Sequence, residues 1–296
     1  MTKETDMPDH NPFCLHQKAA YAHWRTLKLA HYPTCFDQLV VPLSNLSSIS
    51  QSEHAKLKTC IDKTNMVICS APNPPDKTLL RELGKHFGLT RLDANIYAEE
   101  DAITALQVQT SRSRQQAFIP YTDKALSWHT DGYYNPLHRQ IRAMALYCAS
   151  AAVEGGDNSL LDPEIAYLLM RDENPAFIRA LSDPTVLTIP AHIDDAGANL
   201  RPAQTGPVFS VIDGQLHMRY SHRKRNIVWH TSELVEQARA FLSHLFDHCA
   251  YRFNGKLAPG QALLCNNVLH NRTAFKDNVT HKRCIYRARY YDRISG

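Results

Sequence analysis

Two His-x-Asp tripeptides are the residues of this 296-residue chain best suited to hold a metal ion. His129 and Asp131 end an apolar segment and precede a turn with Gly, Asn and Pro, whereas His192 and Asp194 lie in a polar stretch predicted to be a loop. Residues two apart in an extended chain project to the same side, so each pair can bind one cation. The alternative for either pair is a solvated histidine beside an unrelated aspartate.

A third ligand from a later strand would complete a site of two imidazoles and one carboxylate. The best candidate is His270, which follows a Pro-Gly turn and an apolar segment at 261–265 that predicts a strand. His281, in a polar loop, is the rival candidate. Such a ligand set with open positions is typical of non-haem Fe(II) oxygenases. It also fits a zinc hydrolase, in which the metal activates water.

Three arginines at odd-numbered positions follow these candidates near the end of the chain. Arg283, Arg287 and Arg289 lie on the same side of a predicted strand. If that side faces the interior, a guanidinium can clamp a carboxylate with two hydrogen bonds. The pattern fits a solvated arginine face equally well, because the packed face could instead be formed by Cys284, Tyr286 and Ala288.

Composition excludes several classes of protein. The net charge of +4, from 33 Lys and Arg against 29 Asp and Glu, is too small to indicate nucleic-acid binding. The sequence contains no apolar run long enough for a transmembrane helix and no signal-peptide pattern at its start. The eight cysteines form no C-x-x-C motif, and they predict free thiols in a reducing cytoplasm rather than a disulfide framework.

Short strands and a few helices are the predicted elements. From about residue 102 onward, short apolar segments alternate with turn residues, which favours an all-β sandwich or barrel. Helices are predicted from Ser52, the expected cap, over 75–87, over 163–170, and over 231–251 with Thr231 as cap. No repeat or linker divides the chain. We therefore expect an N-terminal arm at 1–34 and a single domain at 35–296.

Taken together, the chemistry-bearing motifs resemble those of the TauD/TfdA family of Fe(II)- and 2-oxoglutarate-dependent dioxygenases. The resemblance covers about residues 37–293 and rests on five motifs in family order, which are Trp-His-Thr-Asp at 128–131, Glu-Gly-Gly-Asp-Asn at 154–158, Pro-Gly-x-Ala-Leu-Leu-x-x-Asn at 259–267, His270-x-Arg-Thr-Ala-Phe, and Arg283-x-x-x-Arg287. It also separates the two His-x-Asp pairs, because only the first is followed by Gly-Gly-Asp at the family interval.

The resemblance implies a double-stranded β-helix, or jelly roll, with flanking helices, and three iron ligands, which are His129, Asp131 and His270. Arg283 would bind the distal carboxylate of 2-oxoglutarate, and Arg287 would contact the co-substrate or an anionic substrate. Asn158 stands where the family usually has Thr, and its amide can donate the same hydrogen bond. The implied reaction uses O₂, hydroxylates an unactivated C–H bond and releases succinate and CO₂.

The substrate is the least constrained part of this prediction. Tyr133, Tyr134 and Asn135 follow the ligand pair and are expected to line the mouth of the site. A basic aromatic run at 218–230, which contains Arg219, is either a solvated loop or a rim for an anionic substrate. Family members act on sulfonates, on betaines and on Kdo, an acidic sugar of lipopolysaccharide.

We therefore expect a small or lipid-linked anionic substrate, namely a sulfonate, a carboxylate or an acidic sugar. The sequence leaves open a homo-oligomer and peripheral contact with the inner face of a membrane. A non-catalytic jelly-roll sensor is a further alternative, although a sensor has no need of open metal positions.

Overall fold

The computed structural model describes residues 11–74, 76–94, 101–108, 119–193 and 197–295. The chain separates into two compact units. The smaller unit contains the described residues of Met1–Tyr32 together with Pro163–Tyr251, and the larger unit contains those of Pro33–Asp162 together with Arg252–Gly296. The prediction of a single domain after an N-terminal arm stays a prediction.

Six α-helices form within the described residues, and they are α1 (Lys18–Leu29), α2 (Gln51–Thr64), α3 (Thr78–Lys85), α4 (Pro163–Glu173), α5 (Pro175–Leu181) and α6 (Glu233–His248). The strands of the first half of the chain are β1 (Val40–Pro42), β2 (Met66–Ser70), β3 (Thr104–Leu106), β4 (Leu126–His129), β5 (Ala143–Ser150), β6 (Glu154–Gly155) and β7 (Asn158–Leu161). The remaining strands are β8 (Leu187–Ile189), β9 (His192–Ile193), β10 (Asn199–Arg201), β11 (Gln204–Gly206), β12 (Phe209–Ile212), β13 (Gln215–Met218), β14 (Val228–Trp229), β15 (Phe253–Gly255), β16 (Gln261–Cys265), β17 (Leu269–Arg272), β18 (Phe275–Lys276) and β19 (Cys284–Tyr290).

The larger unit is built on a six-stranded sheet in the order β1-β2-β16-β5-β19-β3. All of its neighbouring pairs are antiparallel except β1 and β2. One face of this sheet is covered by α2 and α3, whose Leu57, Ile61, Leu80 and Leu83 belong to the same buried cluster as Tyr147 of β5. The central strands β2, β5 and β16 are nearly continuous apolar runs, as expected for strands whose residues are mostly buried.

A second sheet of the larger unit, in the order β15-β7-β17-β4, faces the first across a pocket. Leu146 of β5 and Ile285 of β19 line this pocket from the six-stranded sheet, and Leu126 of β4 lines it from the four-stranded sheet. β17 pairs with β4 so that His270 lies directly opposite His129. The pairing of these two strands therefore brings together residues 141 positions apart in sequence.

Helices and three small sheets form the smaller unit. The sheets are β10-β9, β11-β8-β14 and β12-β13. A buried ion pair joins Lys28 of α1 to Glu164 of α4, with Nζ 2.6 Å from Oε2. Arg171 of α4 donates to the carbonyls of Pro12, Cys14 and Leu15. No helix among the described residues is long and apolar enough to cross a membrane.

Several predicted boundaries and caps differ from the structure. The cap of α2 is Ser50 rather than Ser52, and the cap of α6 is Ser232 rather than Thr231. His192 belongs to a two-residue strand instead of a loop, while Asp194 lies outside the described residues. Within the N-terminal arm predicted at 1–34, a regular helix, α1, forms at Lys18–Leu29. Pro75, the first residue of a predicted helix, also lies outside the described part of the chain.

The N-terminus of α2 gives a direct test of its cap. Ser50 Oγ accepts from the Glu53 N–H, and the Glu53 carboxylate accepts from the Ser50 N–H. We expect Ser50→Ala to lower the free energy of unfolding by about 1 kcal/mol, measured by denaturant titration. Ser52→Ala is the matched control, and it should change stability by less than about 0.5 kcal/mol. A larger effect at Ser52 would contradict the assignment of the cap.

Candidate metal centre

Three buried side chains of the larger unit converge at the ends of β4 and β17. His129 ends β4, Asp131 follows two residues later, and His270 lies in β17. The candidate ligand atoms of all three lie within 4.8 Å of one another, and the two imidazole centroids are 4.2 Å apart. His281, the rival candidate, is exposed and contacts Thr280 instead. The predicted trio is thus brought together.

Backbone carbonyls set the tautomer of both histidines. His129 Nδ1 lies 2.8 Å from the Ser127 carbonyl oxygen, and His270 Nδ1 lies 2.9 Å from that of Val268. A carbonyl only accepts, so each Nδ1 must carry the proton. Each Nε2 lone pair is then available to a metal, an arrangement that fixes the ring and strengthens the ligand.

The charge state of the trio suits a divalent cation. Burial, together with the nearby His129, lowers the pKa of His270 to about 4, so this imidazole is neutral at physiological pH. Burial would raise the pKa of Asp131, but the Arg287 guanidinium and the contact with His129 outweigh it and hold that pKa well below its usual range. Two imidazole nitrogens and one carboxylate match the ligand preference of Fe(II) and leave coordination positions open.

Asp131 is held from two directions. Arg287 Nη1 lies 3.3 Å from each carboxylate oxygen. The side chain of Asn267 accepts from the Asp131 N–H at 2.7 Å and donates to the Asp131 carbonyl at 2.9 Å. Both the carboxylate and the backbone of this ligand therefore have fixed partners.

Arg283 offers the pocket an unused hydrogen-bond donor. Its side chain lines the pocket and is buried, and its Nη1 has no hydrogen-bond partner among the described residues. Burial lowers the pKa of this guanidinium. A buried donor without an acceptor is costly, so an anion at this position would stabilise the donor. The carboxylate of 2-oxoglutarate fits this requirement.

The Gly-Gly motif explains how the backbone comes so close to Arg283. Gly155 and Gly156 both have positive φ, +66° and +75°. A Cβ on Gly155 would lie 2.2 Å from the Ala274 carbonyl oxygen, and one on Gly156 would lie 3.6 Å from Arg283 Nε. Phe275 lies against the same arginine, with its ring centroid 5.1 Å from the guanidinium carbon. A larger residue at Gly155 would collide with the backbone of Ala274, next to Phe275, whereas at Gly156 the positive φ is the constraint.

Both faces of β19 are used. Arg287 shares the pocket face with Ile285, while Ala288 and Tyr290 on the opposite face belong to the core under the helices. Arg289 is buried and bonds to Asp93 and to the Tyr134 hydroxyl, so its charge is neutralised within the protein. The solvated arginine face that the sequence left open is therefore wrong, because Arg283, Arg287 and Arg289 are shielded from solvent and the opposite face packs in the core.

The other predicted contact residues take varied places. Asn158 lines the pocket, and its amide donates to the Asn271 carbonyl at 2.8 Å. Tyr133 packs edge-on against the His129 ring with centroids 6.4 Å apart. Asn135 Nδ2 donates to the Arg139 carbonyl, and the Tyr134 hydroxyl accepts from Arg289. Their contacts with ligands stay predictions.

Arg219 lies in the smaller unit, where it is 2% exposed. Its guanidinium donates to the backbone carbonyls of Leu187, Gly206 and Gln204. Because these bonds give the buried guanidinium its acceptors, Arg219 has a structural role in the smaller unit. The basic run in the sequence did not indicate this role. Its predicted role in substrate binding stays a prediction.

Sequence reasoning gave no role to Asn267 or Arg272. Arg272 lines the pocket, donates to the carbonyls of Thr122 and Lys124, and lies over the Phe275 ring. Two features of the sequence could have drawn attention to these residues. Asn267 belongs to a polar Asn-Asn pair inside an otherwise apolar segment, and Arg272 lies two residues after His270.

Comparison with known proteins supplies independent findings. A family model described as "Taurine catabolism dioxygenase TauD, TfdA family" matches residues 28–289. A uridine-5'-phosphate dioxygenase of Amycolatopsis sp is 34% identical over 170 residues, which cover 55% of this chain and only 60% of that protein. A second protein of that name, from Streptomyces sp, is 28% identical over 205 residues, which cover 65% of this chain and 71% of that protein.

The fold has solved counterparts. The crystal structure of asparagine oxygenase in complex with Fe(II), 2S,3S-3-hydroxyasparagine and succinate aligns with a TM-score of 0.58 at 13% identity, covering 94% of this chain and 85% of that one. At such low identity the likeness concerns the fold alone. The predicted fold, a jelly-roll core with flanking helices, is confirmed.

The neutral His270 predicts a pH-dependent stability of the metal-free protein. An unfolded histidine has a pKa near 6.5, against about 4 in the folded chain, so between these values only the unfolded state binds the proton. Stability therefore falls as the pH is lowered from 6.5 towards 4, and each pKa unit is worth about 1.4 kcal/mol. We expect His270→Gln to flatten this slope in chelator-treated protein, measured by thermal unfolding. Equal slopes for the two proteins would contradict the assignment.

Proposed function

The chain belongs to the taurine catabolism dioxygenase TauD, TfdA family, and from this premise we propose that it is an Fe(II)- and 2-oxoglutarate-dependent dioxygenase acting on a small phosphorylated nucleoside. The observation that carries the proposal is the convergence of His129, Asp131 and His270, with both Nε2 atoms available and the carboxylate ionised. Three ligands leave positions for a chelating co-substrate and for O₂.

The co-substrate is assigned to the arginine-lined end of the pocket. Arg283 Nη1 would donate to the distal carboxylate of 2-oxoglutarate, which gives this buried donor its acceptor. Asn158 lines the same pocket and would support that carboxylate. When bound, iron and 2-oxoglutarate supply the oxidising chemistry, in which one oxygen atom of O₂ enters succinate, CO₂ leaves, and the other atom forms the C–OH group of the product.

The remaining work of the protein is to position groups and exclude water. The imidazoles hold the metal through Nε2 while their Nδ1–H groups stay on carbonyls. Leu106, Leu126, Leu146 and Ile285 give the pocket an apolar wall, and such walls strengthen the electrostatic contacts inside. No general acid or base with a shifted pKa is required, and we assign none.

A zinc hydrolase uses the same types of ligand, but it leaves the Arg283 donor without a role. A metabolite sensor would need no open metal position. The family to which the chain belongs therefore supports the dioxygenase over both alternatives.

The substrate class follows from the relatives and from the charge of the pocket. Two relatives are named uridine-5'-phosphate dioxygenase, and a phosphate ester satisfies the expectation of an anionic substrate. Arg287 lines the pocket, and its buried Nε finds no acceptor within the described part of the chain. This second donor would contact the co-substrate or the phosphate. A lipid-linked acidic sugar, peripheral membrane contact and a homo-oligomer stay predictions from sequence.

The proposed contact between Arg283 and the distal carboxylate of 2-oxoglutarate can be tested without turnover. We expect Arg283→Gln to weaken 2-oxoglutarate binding by at least about thirtyfold, because a buried charged partner is worth 2 kcal/mol or more, while the affinity for metal stays near that of the wild type. The measurement is an anaerobic titration of the Fe(II)-loaded protein, followed by the visible charge-transfer band.

Arg171→Gln is the matched control for losing a buried arginine, and it should keep the wild-type affinity for 2-oxoglutarate. Unchanged affinity in Arg283→Gln would show that the clamp is misassigned.

Substrate-stimulated succinate formation tests the proposed function itself. With Fe(II), 2-oxoglutarate and O₂, we expect uridine 5'-phosphate to raise the succinate rate well above the substrate-free rate, and uridine to do so much less because it lacks the phosphate. A sulfonate and free Kdo serve as competing candidates. Stimulation by one of these but not by the nucleotide would overturn the substrate class, and a zinc requirement without succinate would overturn the dioxygenase.

A further inference from the structure

Asn267 makes three hydrogen bonds to the segment that carries Asp131. Its Oδ1 accepts from the Asp131 N–H at 2.7 Å, and its Nδ2 donates to the Asp131 carbonyl at 2.9 Å and to the Ile141 carbonyl at 2.6 Å. The side chain is 3% exposed. One amide thus fixes both backbone groups of a candidate metal ligand and the far end of the segment that follows it.

The backbone of Asn267 is suited to this position. Its φ of +51° lies in the left-handed region, which Asn adopts more easily than most residues other than Gly. The residue lies between β16 and β17, three positions before His270. The turn that delivers one imidazole therefore also holds the backbone of the carboxylate ligand.

Close packing makes this linkage stiff. Gly132, directly after Asp131, has φ +66°, and a Cβ there would lie 2.3 Å from Ile141 Cγ1. The segment from 131 to 141 consequently closes on itself at the point where Asn267 bonds to both of its ends. A shift of Asp131 relative to His270 would require breaking at least two buried hydrogen bonds.

We propose that Asn267 is a positioning residue that sets the affinity of the metal centre by locking the Asp131 backbone to the turn before His270. The inference rests on the proposed function, because it assumes that these residues bind a metal. Partners that orient a ligand without touching the metal typically change metal affinity by 10–100-fold.

The preceding residue offers a matched control. Asn266 is also buried and lies in the same turn, but its side chain bonds to the Asn65 side chain and to the Ile294 N–H. Neither of these partners belongs to the segment from 131 to 141 that carries Asp131. Loss of either side chain removes buried hydrogen bonds, and only the loss of Asn267 releases the ligand.

The experiment is an anaerobic titration of chelator-treated full-length protein with Co(II), followed by its visible d–d bands. Asn267→Gly is the test variant, because Gly tolerates the positive φ and only the amide is lost. We expect its Co(II) dissociation constant to rise at least about tenfold, with altered d–d bands. Asn266→Gly should stay within about twofold of the wild type, and His129→Ala should bind no Co(II) in this spectrum.

Thermal unfolding of the metal-free variants confirms that each is folded at the titration temperature. If Asn267→Gly does not fold, Asn267→Asp replaces it with the same expectation. That variant keeps the acceptor and loses both donors, and its added negative charge alone would strengthen cation binding, so a weaker affinity reports the lost donors.

The outcomes separate the two proposals. The positioning role would be overturned if Asn267→Gly bound Co(II) with wild-type affinity, or if Asn266→Gly and Asn267→Gly lost the same amount of Co(II) affinity. Neither result would contradict the proposal that the site binds a metal. Absence of Co(II) binding by the wild type would overturn both. A loss of Co(II) affinity in Asn267→Gly but not in Asn266→Gly supports the inference.

Discussion

The antiparallel pairing of β4 with β17 is the constraint on which the site depends. It places His129 opposite His270, and the carbonyls of Ser127 and Val268 then hold both Nδ1–H groups, so that both Nε2 atoms remain available. A one-residue slip in this register would turn one imidazole to the other face of the sheet. Strand pairing, rather than any local motif, therefore creates the candidate metal centre.

Charge compensation in the pocket follows from that placement. Burial alone would raise the pKa of the Asp131 carboxylate, and Arg287 outweighs it by contacting both oxygens, so that this pKa lies well below its usual range. Arg289 is neutralised by Asp93, whereas Arg283 keeps a donor without an acceptor. Arg289 also keeps a buried Nε without a partner among the described residues, so the two arginines differ in the ion pair to Asp93 and in position, because Arg283 lines the pocket.

The fold class was predictable because the family motifs occur in order. A His-x-Asp pair at the end of a strand is a local signal, and it led to the three side chains that the structure brings together; their role as metal ligands stays a prediction. The sequence could not assign Arg219, since a basic run does not show whether a guanidinium meets solvent or backbone carbonyls. The roles of Tyr134 and Asn267 depend on partners more than 130 residues away. Ser50 and Ser52 are equally good caps by type, and only the backbone decides between them.

The most direct test of the central claim is an anomalous difference map at the iron edge from anaerobically grown crystals containing Fe(II). The account predicts one peak about 2 Å from His129 Nε2, His270 Nε2 and an Asp131 carboxylate oxygen, with both Nδ1 atoms still on their carbonyls. A peak bound through Nδ1, or a metal held elsewhere with this trio empty, would contradict it.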